Sequence, residues 1–313
     1  GGGGDGGGGD GGGGDGSNDG DDDDKLLSFK EVEAFMKDRK VKLPSDMMET
    51  AKVHGLRLKA INAFLAAQGF VFTGWLCRTI PFFRDRILGD PRFLFKVGAE
   101  VAIDSGCATV AEVRKRGDDF WKELELYLSD LLVGLVMDVV MVSLMAPALV
   151  IGGATMVSQR TGVQKFVSSI PSAVFAANTP GVSYSAFQRM MCIVVKFGEY
   201  SLAGITCGLV GQGIANFMME ARRSSHSKDG QLGDEDLIPV PPLVKTALVW
   251  GLFMGVSSNL RYQAVFGIER LVDVTLAKRI PALAYITTLV ARFVNNVIGG
   301  ENFIDMARWA GVQ

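Results

Sequence analysis

The chain has 313 residues, 48% of them hydrophobic, and carries 32 Lys and Arg against 34 Asp and Glu. A balance this close to neutral leaves no electrostatic footprint for nucleic acid, and no nucleic-acid partner is expected. The average hides a division, because residues 1–25 hold eight acids and one base among glycines, which leaves 31 bases against 26 acids in the remainder.

Residues 1–25 have almost nothing apolar to bury, so this Gly/Asp-rich stretch is expected as a disordered tail, extended by its like charges. Next, Leu26, Phe29, Val32, Phe35 and Met36 recur at helical spacing among charged residues. That pattern predicts a short amphipathic helix within Leu26–Lys42, stopped by Pro44, with a second helix opening after Ser45. Ala60–Phe83 is mostly apolar and holds Phe64, Phe70, Phe72 and Trp75, while Gly69, Gly74 and Pro81 weaken it as a continuous helix. It reads as lying in a membrane interface rather than crossing. Residues 26–88 thus form an amphipathic and interfacial helical region.

Residues 89–313 form the expected transmembrane domain. It opens on Phe93–Val113, where Lys96, Glu100 and Asp104 stand at four-residue intervals, the pattern of a solvated helix face laced by ion pairs. Leu126–Ile151 is different, with seven Leu, six Val and only two acids, Asp130 and Asp138. Thirteen Leu and Val at about −0.3 to −0.6 kcal/mol each roughly offset two Asp at about +2.5 to +3.5 each, so the segment can insert. Asp130 is near enough to its end to reach the interface, whereas Asp138 falls near the middle and needs a partner or water. Three further spans follow at Met190–Met219, Leu243–Ser258 and Ile280–Ile298. Gly204/Gly208 and Gly251/Gly255 are G-x-x-x-G pairs within two of them, a spacing that lets helix backbones approach closely in lipid. The fold class is therefore all-α: an integral membrane helical bundle of about four transmembrane helices, with flanking amphipathic helices and a disordered N-terminal tail.

Chemistry-bearing patterns are sparse. Cys77, Cys107, Cys192 and Cys207 lie far apart and read as free thiols, and neither His54 nor His226 neighbours a cysteine pair, so no metal or other cofactor is expected. The run GLVGQGIAN (Gly208–Asn216) has neither the G-x-G-x-x-G nor the P-loop spacing and follows no strand, so helix packing explains its glycines. No G-x-S-x-G occurs, and the chain is not expected to be an enzyme. The ionisable residues inside the spans carry more information, because charge in a bilayer interior is rare and usually faces a partner, a cavity or a transport path. Asp130, Asp138, Lys196, Glu199 and Arg292 are the candidate substrate-binding residues. The competing reading is internal neutralisation, Lys196 with Glu199 one turn away and Asp138 with Arg292 across helices.

Several stretches resemble the RETICULATA and RETICULATA-related family of plant plastid-envelope proteins. They are DPRFLFKVG (Asp90–Gly98), DSGCAT (Asp104–Thr109), AEVRKRGDDFWKELELY (Ala111–Tyr127), GLVGQGIAN, IPVPPL (Ile238–Leu243) and SSNLRYQ (Ser257–Gln263). AKRIPAL (Ala277–Leu283), RFVNNVIGG (Arg292–Gly300) and the terminal GVQ (Gly311–Gln313) complete the series. The resemblance implies a multi-pass protein of the chloroplast inner envelope, made with a transit peptide and tied to leaf development and plastid amino-acid metabolism. It further implies transport of basic amino acids, and it brings no catalytic motif.

The expectation is then a transporter of small cationic metabolites such as basic amino acids, in contact with membrane lipid. Its carboxylates Asp130, Asp138 and Glu199 would meet the cation, and Lys196 or Arg292 the substrate carboxylate. Copies would pair through the Gly204/Gly208 and Gly251/Gly255 faces. The alternative is a non-transporting envelope scaffold that organises partners through Leu26–Lys42 and the acidic tail.

Overall fold

The computed structural model describes residues 25–121, 124–152, 162–178, 183–228, 242–277 and 279–312. The Gly/Asp-rich tail lies outside them. The described part opens with a strand, β1 (Leu26–Leu27), and the amphipathic helix α1 (Phe29–Arg39). Ser28 starts that helix with a capping box, its backbone N–H donating to the Glu31 carboxylate at 2.7 Å. This bond holds the exposed Glu31 carboxyl below its ordinary value. Helix α2 (Ser45–His54) ends at Gly55, whose φ of +71° and tight approach to the Leu27 carbonyl suit only glycine. Strand β2 (Leu56–Arg57) then pairs antiparallel with β1, Leu27 opposite Leu56.

The apolar stretch expected at the interface divides where its glycines and proline fall, into α3 (Leu58–Ala67), α4 (Val71–Thr79) and α5 (Pro81–Gly89). None is long enough to cross a bilayer. At the start of α4, Phe70, Val71, Phe72 and Trp75 are left exposed. These short elements share one apolar core, with Val32, Met47, Leu56, Ala60, Ile61 and Phe64 almost fully buried. Arg84 is the charged exception, and it reaches Asp46 at 2.7 Å and Asp85 at 3.0 Å. Burial pushes the Asp85 carboxyl up, with the Arg84 guanidinium pulling against it.

The remainder is a bundle of long helices: α6 (Phe93–Arg116), α7 (Leu124–Met145), α9 (Ala186–Lys228), α10 (Leu243–Phe253) continuing into α11 (Asn259–Thr275), and α12 (Pro281–Ala310). A short helix α8 (Gly162–Ser168) precedes α9. Among the described residues three helical stretches are long and apolar enough to cross a membrane, Ala186–His226, Leu243–Thr275 and Pro281–Ala310. The expected span from Leu126 to Ile151 is shorter than its composition suggests. Its helix stops at Met145, ahead of Pro147, and the apolar part is Leu131–Met145. The expected span Leu243–Ser258, by contrast, runs on. A π-helical turn at Met254–Ser258 carries it into α11, whose polar residues kept it from reading as part of the span.

The four glycines pack α9 against α10 inside one chain. A Cβ at Gly204 would lie 2.8 Å from the Trp250 carbonyl oxygen, and one at Gly208 3.0 Å from the Ala247 Cα. Gly251 faces Ile205 and Ser201, and Gly255 faces Ser201 and Phe197. The faces expected to join copies are therefore already covered by each other.

Most neighbouring helices run antiparallel, while α6 and α12 run parallel, and the bundle has two distinct ends. Lys196 and Tyr200 near the start of α9 donate to the Leu144 and Met141 carbonyls near the end of α7. Phe95 and Tyr285 stack edge to face near the starts of α6 and α12, and Arg92 pairs with Asp273 near the end of α11. At the opposite end, Lys245 at the start of α10 reaches the Gly311 carbonyl beyond α12.

Candidate functional site

Helix α6 corrects the sequence reading most. The Lys96–Glu100–Asp104 ladder does not face solvent: it points into the bundle, with Lys96 7% exposed and Glu100 fully buried. Four-residue spacing fixes a common face and says nothing about what covers it. Here α7 and α12 pack against α6, and charges from α11 and α12 meet the ladder.

Arg292 on α12 is the hub. Its Nη1 donates to Glu100 Oε2 at 2.5 Å and its Nε to Glu269 Oε1 at 3.1 Å. The Tyr262 hydroxyl donates to the second Glu100 oxygen at 2.7 Å. Glu269 also faces Lys96 at 3.4 Å, and Lys96 donates to Asp90 at 2.8 Å. Ions at this depth persist only when partnered, and removing one member of a buried pair costs about 3–5 kcal/mol. The network meets that condition by placing each cation between two carboxylates. Arg292 is thus neutralised by Glu100 and Glu269, neither of which was expected in this role.

Beside the network a cavity of about 630 Å³ opens among α6, α7, α9, α10 and α12. That lies in the range of pockets that hold small molecules, about 300–1,000 Å³. Its walls mix Met137, Met141, Trp250 and Phe253 with Asp104, Glu112, Asp138, Gln212 and Asn296. Among the described residues Arg261 is the one base on its lining, and it is engaged with Asn295 at 2.8 Å and Ser258 at 3.0 Å. Asp104 sits over Gly134, one turn before Asp138 on α7, so two carboxylates address the same stretch of that helix.

Asp138 itself is 8% exposed, and its Oδ2 is buried without a hydrogen-bond partner. The cavity also holds two other buried groups in that condition, the Asn296 side-chain amide nitrogen and the Thr246 hydroxyl. A buried polar atom without a partner costs about 1–3 kcal/mol, so one acceptor and two potential donors on residues of the same lining are its notable polar feature.

The five candidate residues therefore part company. Asp138 lines the cavity and Arg292 lies in the adjoining network. Lys196 and Glu199 pair with each other at 2.7 Å, and Lys196 also takes a carbonyl left open where α7 ends, well away from the cavity lining. The Asp130 side chain lies outside the described residues. Sequence reasoning missed Glu100, Glu269, Tyr262, Asn296 and Thr246. For Glu269 a signal existed, since Val265, Phe266, Ile268, Leu271 and Val272 continue the apolar pattern beyond Ser258. All four cysteines are free thiols.

Comparison with known proteins gives the family. The family model described as Protein RETICULATA-related matches residues 85–268, which include Glu100, Asp138 and Tyr262. Protein RETICULATA-RELATED 1, chloroplastic, from Arabidopsis thaliana is 48% identical over 294 residues, 92% of this chain and 66% of its own length. Protein RETICULATA, chloroplastic, from the same plant is 44% identical, again over 92% of this chain and 66% of its own length. Protein RETICULATA-RELATED 4, chloroplastic, is 31% identical over 87% of this chain and 69% of its own. The chain thus spans about two thirds of the length of the curated relatives it matches. No solved structure matches it. With its helical bundle and its matched core in hand, the chain belongs to the RETICULATA-related family.

Proposed function

We propose that the protein is a carrier, not an enzyme, that moves small organic cations across the chloroplast inner envelope, with basic amino acids as the substrate class. The observation that carries this reading is Asp138: a carboxylate midway along the apolar stretch Leu131–Met145, on the lining of a cavity, with one buried oxygen left unpartnered. A guanidinium or ammonium entering the cavity would give the carboxylate a cationic partner and offset the cost of burying it. Asp104 reinforces the preference for a cation. The Asn296 amide and Thr246 hydroxyl are donors suited to the carboxylate of an amino acid. Fixed polar groups in a mostly apolar wall would bind such a substrate without a covalent step.

The surroundings support a membrane setting. Leu132, Val136, Val194, Leu202, Val210, Leu248 and Leu252 stand exposed on the bundle exterior, the distribution expected where lipid is the solvent. The aromatic cluster at the start of α4 would rest at the lipid surface, as amphipathic rings do. The relatives named chloroplastic support a plastid setting.

The test is uptake of labelled arginine, lysine and ornithine by liposomes containing the purified protein, beside empty liposomes and labelled leucine and glutamate. Saturable uptake of the cations, with little of leucine or glutamate, is expected. Cation uptake no faster than in empty liposomes would refute the reading.

A further inference from the structure

A second pocket, of about 540 Å³, lies at the other end of the bundle, where α6 begins and α11 hands over to α12. It is lined by Asp90, Arg92, Lys96, Arg270 and Asp273 together with apolar side chains such as Phe266 and Tyr285. Arg92 pairs with one oxygen of Asp273, and the other oxygen is buried without a partner. Between this pocket and the Asp138 cavity lies a small void of about 20 Å³. The void shares Asp90, Lys96 and Phe266 with the pocket and Tyr262 with the cavity, and Arg292 and Glu269 border it.

The three spaces therefore form a series along the bundle axis. Acids occur at every stage: Asp104 and Asp138, then Glu100 and Glu269, then Asp90 and Asp273. Three basic side chains, Arg292, Lys96 and Arg92, are paired with the last four of these. A cation can advance along such a series by exchanging places with a resident base, because each carboxylate it leaves regains its own partner. The bases of the series, Arg292, Lys96 and Arg92, already hold carboxylates, which leaves an anion only Arg261 and Arg270 at the two ends.

Resting on the transport reading above, we propose that this pocket is the second mouth of the same path. It is a vestibule that takes organic cations at Asp273 and Asp90, and the Glu100–Arg292–Glu269–Lys96 network is the barrier between the two mouths. Each mouth then opens toward one side of the membrane, and the network keeps them from connecting freely.

Two single-cysteine reporters test this in spheroplasts, where every copy has one orientation. Ala215→Cys lines the cavity and Ala277→Cys lines the second pocket, and both positions are half-buried. Cys107 and Cys207 are replaced by Ser in both, leaving only buried native thiols. The probe is the impermeant cation 2-(trimethylammonium)ethyl methanethiosulfonate, applied before or after lysis. One reporter is expected to react in intact spheroplasts and the other only after lysis. Excess arginine should slow the labelling of each several-fold. Adding Asp273→Asn should abolish that protection at Ala277→Cys while leaving it at Ala215→Cys. Labelling of both from one side, or labelling of Ala277→Cys that arginine does not slow, would overturn the proposal. Liposome uptake by the unmodified chain judges the transport reading separately, since a failure there leaves the sidedness result intact.

Discussion

The region before α6 and the bundle after it solve opposite problems. The first, from β1 to α5, buries Val32, Met47, Ile61 and Phe64 and keeps its charges outside, with Arg84 as the exception. The bundle turns large apolar side chains outward and buries Lys96, Glu100, Glu269 and Arg292. Both arrangements follow from one rule applied in two solvents. In water the hydrophobic effect selects the core, whereas in lipid apolar surface gains nothing by hiding and polar groups must find one another. A buried charge is therefore an exception in the first region and the organising feature of the second.

Arg292→Met should separate the two regions most sharply. It leaves Glu100 without a cation and Glu269 with only the more distant Lys96, a loss of about 3–5 kcal/mol for a broken buried pair. Little monodisperse protein is expected after detergent extraction, as read by size-exclusion chromatography. Adding Glu100→Gln should restore part of the yield, because it removes one of the stranded charges. Arg84→Met is the matched change in the first region. Its partners Asp46 and Asp85 are 41% and 31% exposed, so water takes over and the loss is smaller. Equal damage from both would erase the distinction.

Gly204→Leu comes next. The new side chain would meet the Trp250 backbone and Met254, which cannot rotate away together, and overpacking of this kind typically costs about 1–3 kcal/mol. A Cβ at Gly213 on the same helix meets nothing within 4 Å, and Gly213→Leu should leave the melting temperature unchanged or slightly raised. If the two variants melt alike, α9 and α10 are not held by close backbone approach.

Much of this was legible in the sequence, and what escaped has a common cause. Apolar runs and breakers gave the all-helical membrane class, α1, the helix after Ser45 and most of α9 and α12. Periodicity also located the four close-packed glycines, but it could not say that the two pairs face each other. The Lys96–Glu100–Asp104 ladder misled for the same reason, since spacing defines a face and only tertiary packing decides what covers it. Asp138 was recognisable because a carboxylate amid Met137, Val139, Val140 and Met141 has no local explanation. Its expected partner Arg292 is instead held by Glu100 and Glu269, which lie 192 and 23 residues away in the chain. No local pattern encodes such a pairing.

A smaller effect belongs to the first region. The Ser28 backbone bond keeps Glu31 charged below its ordinary value of 4.5, so the ionised form stabilises α1. That contribution is complete above about pH 4.5 and is lost as the pH falls through the lowered folded-state value. Glu31→Gln should melt slightly below the unmodified chain at pH 7, and the gap should close when both are melted near pH 3. A gap that stays constant across this range would rule out the charge as its source.

Asp138→Asn should disturb stability little, because among the described residues no cation is paired with that side chain and an amide of nearly the same shape preserves packing. Its consequence lies in transport, and no other variant bears so directly on the acid-lined path. The decisive measurement is the initial rate of labelled arginine uptake by liposomes containing Asp138→Asn, set beside its melting temperature. Uptake reduced to the level of empty liposomes, with a melting temperature close to that of the unmodified protein, is the expected result. Arginine uptake at the unmodified rate would contradict the role assigned to Asp138 and, with it, the path built around it.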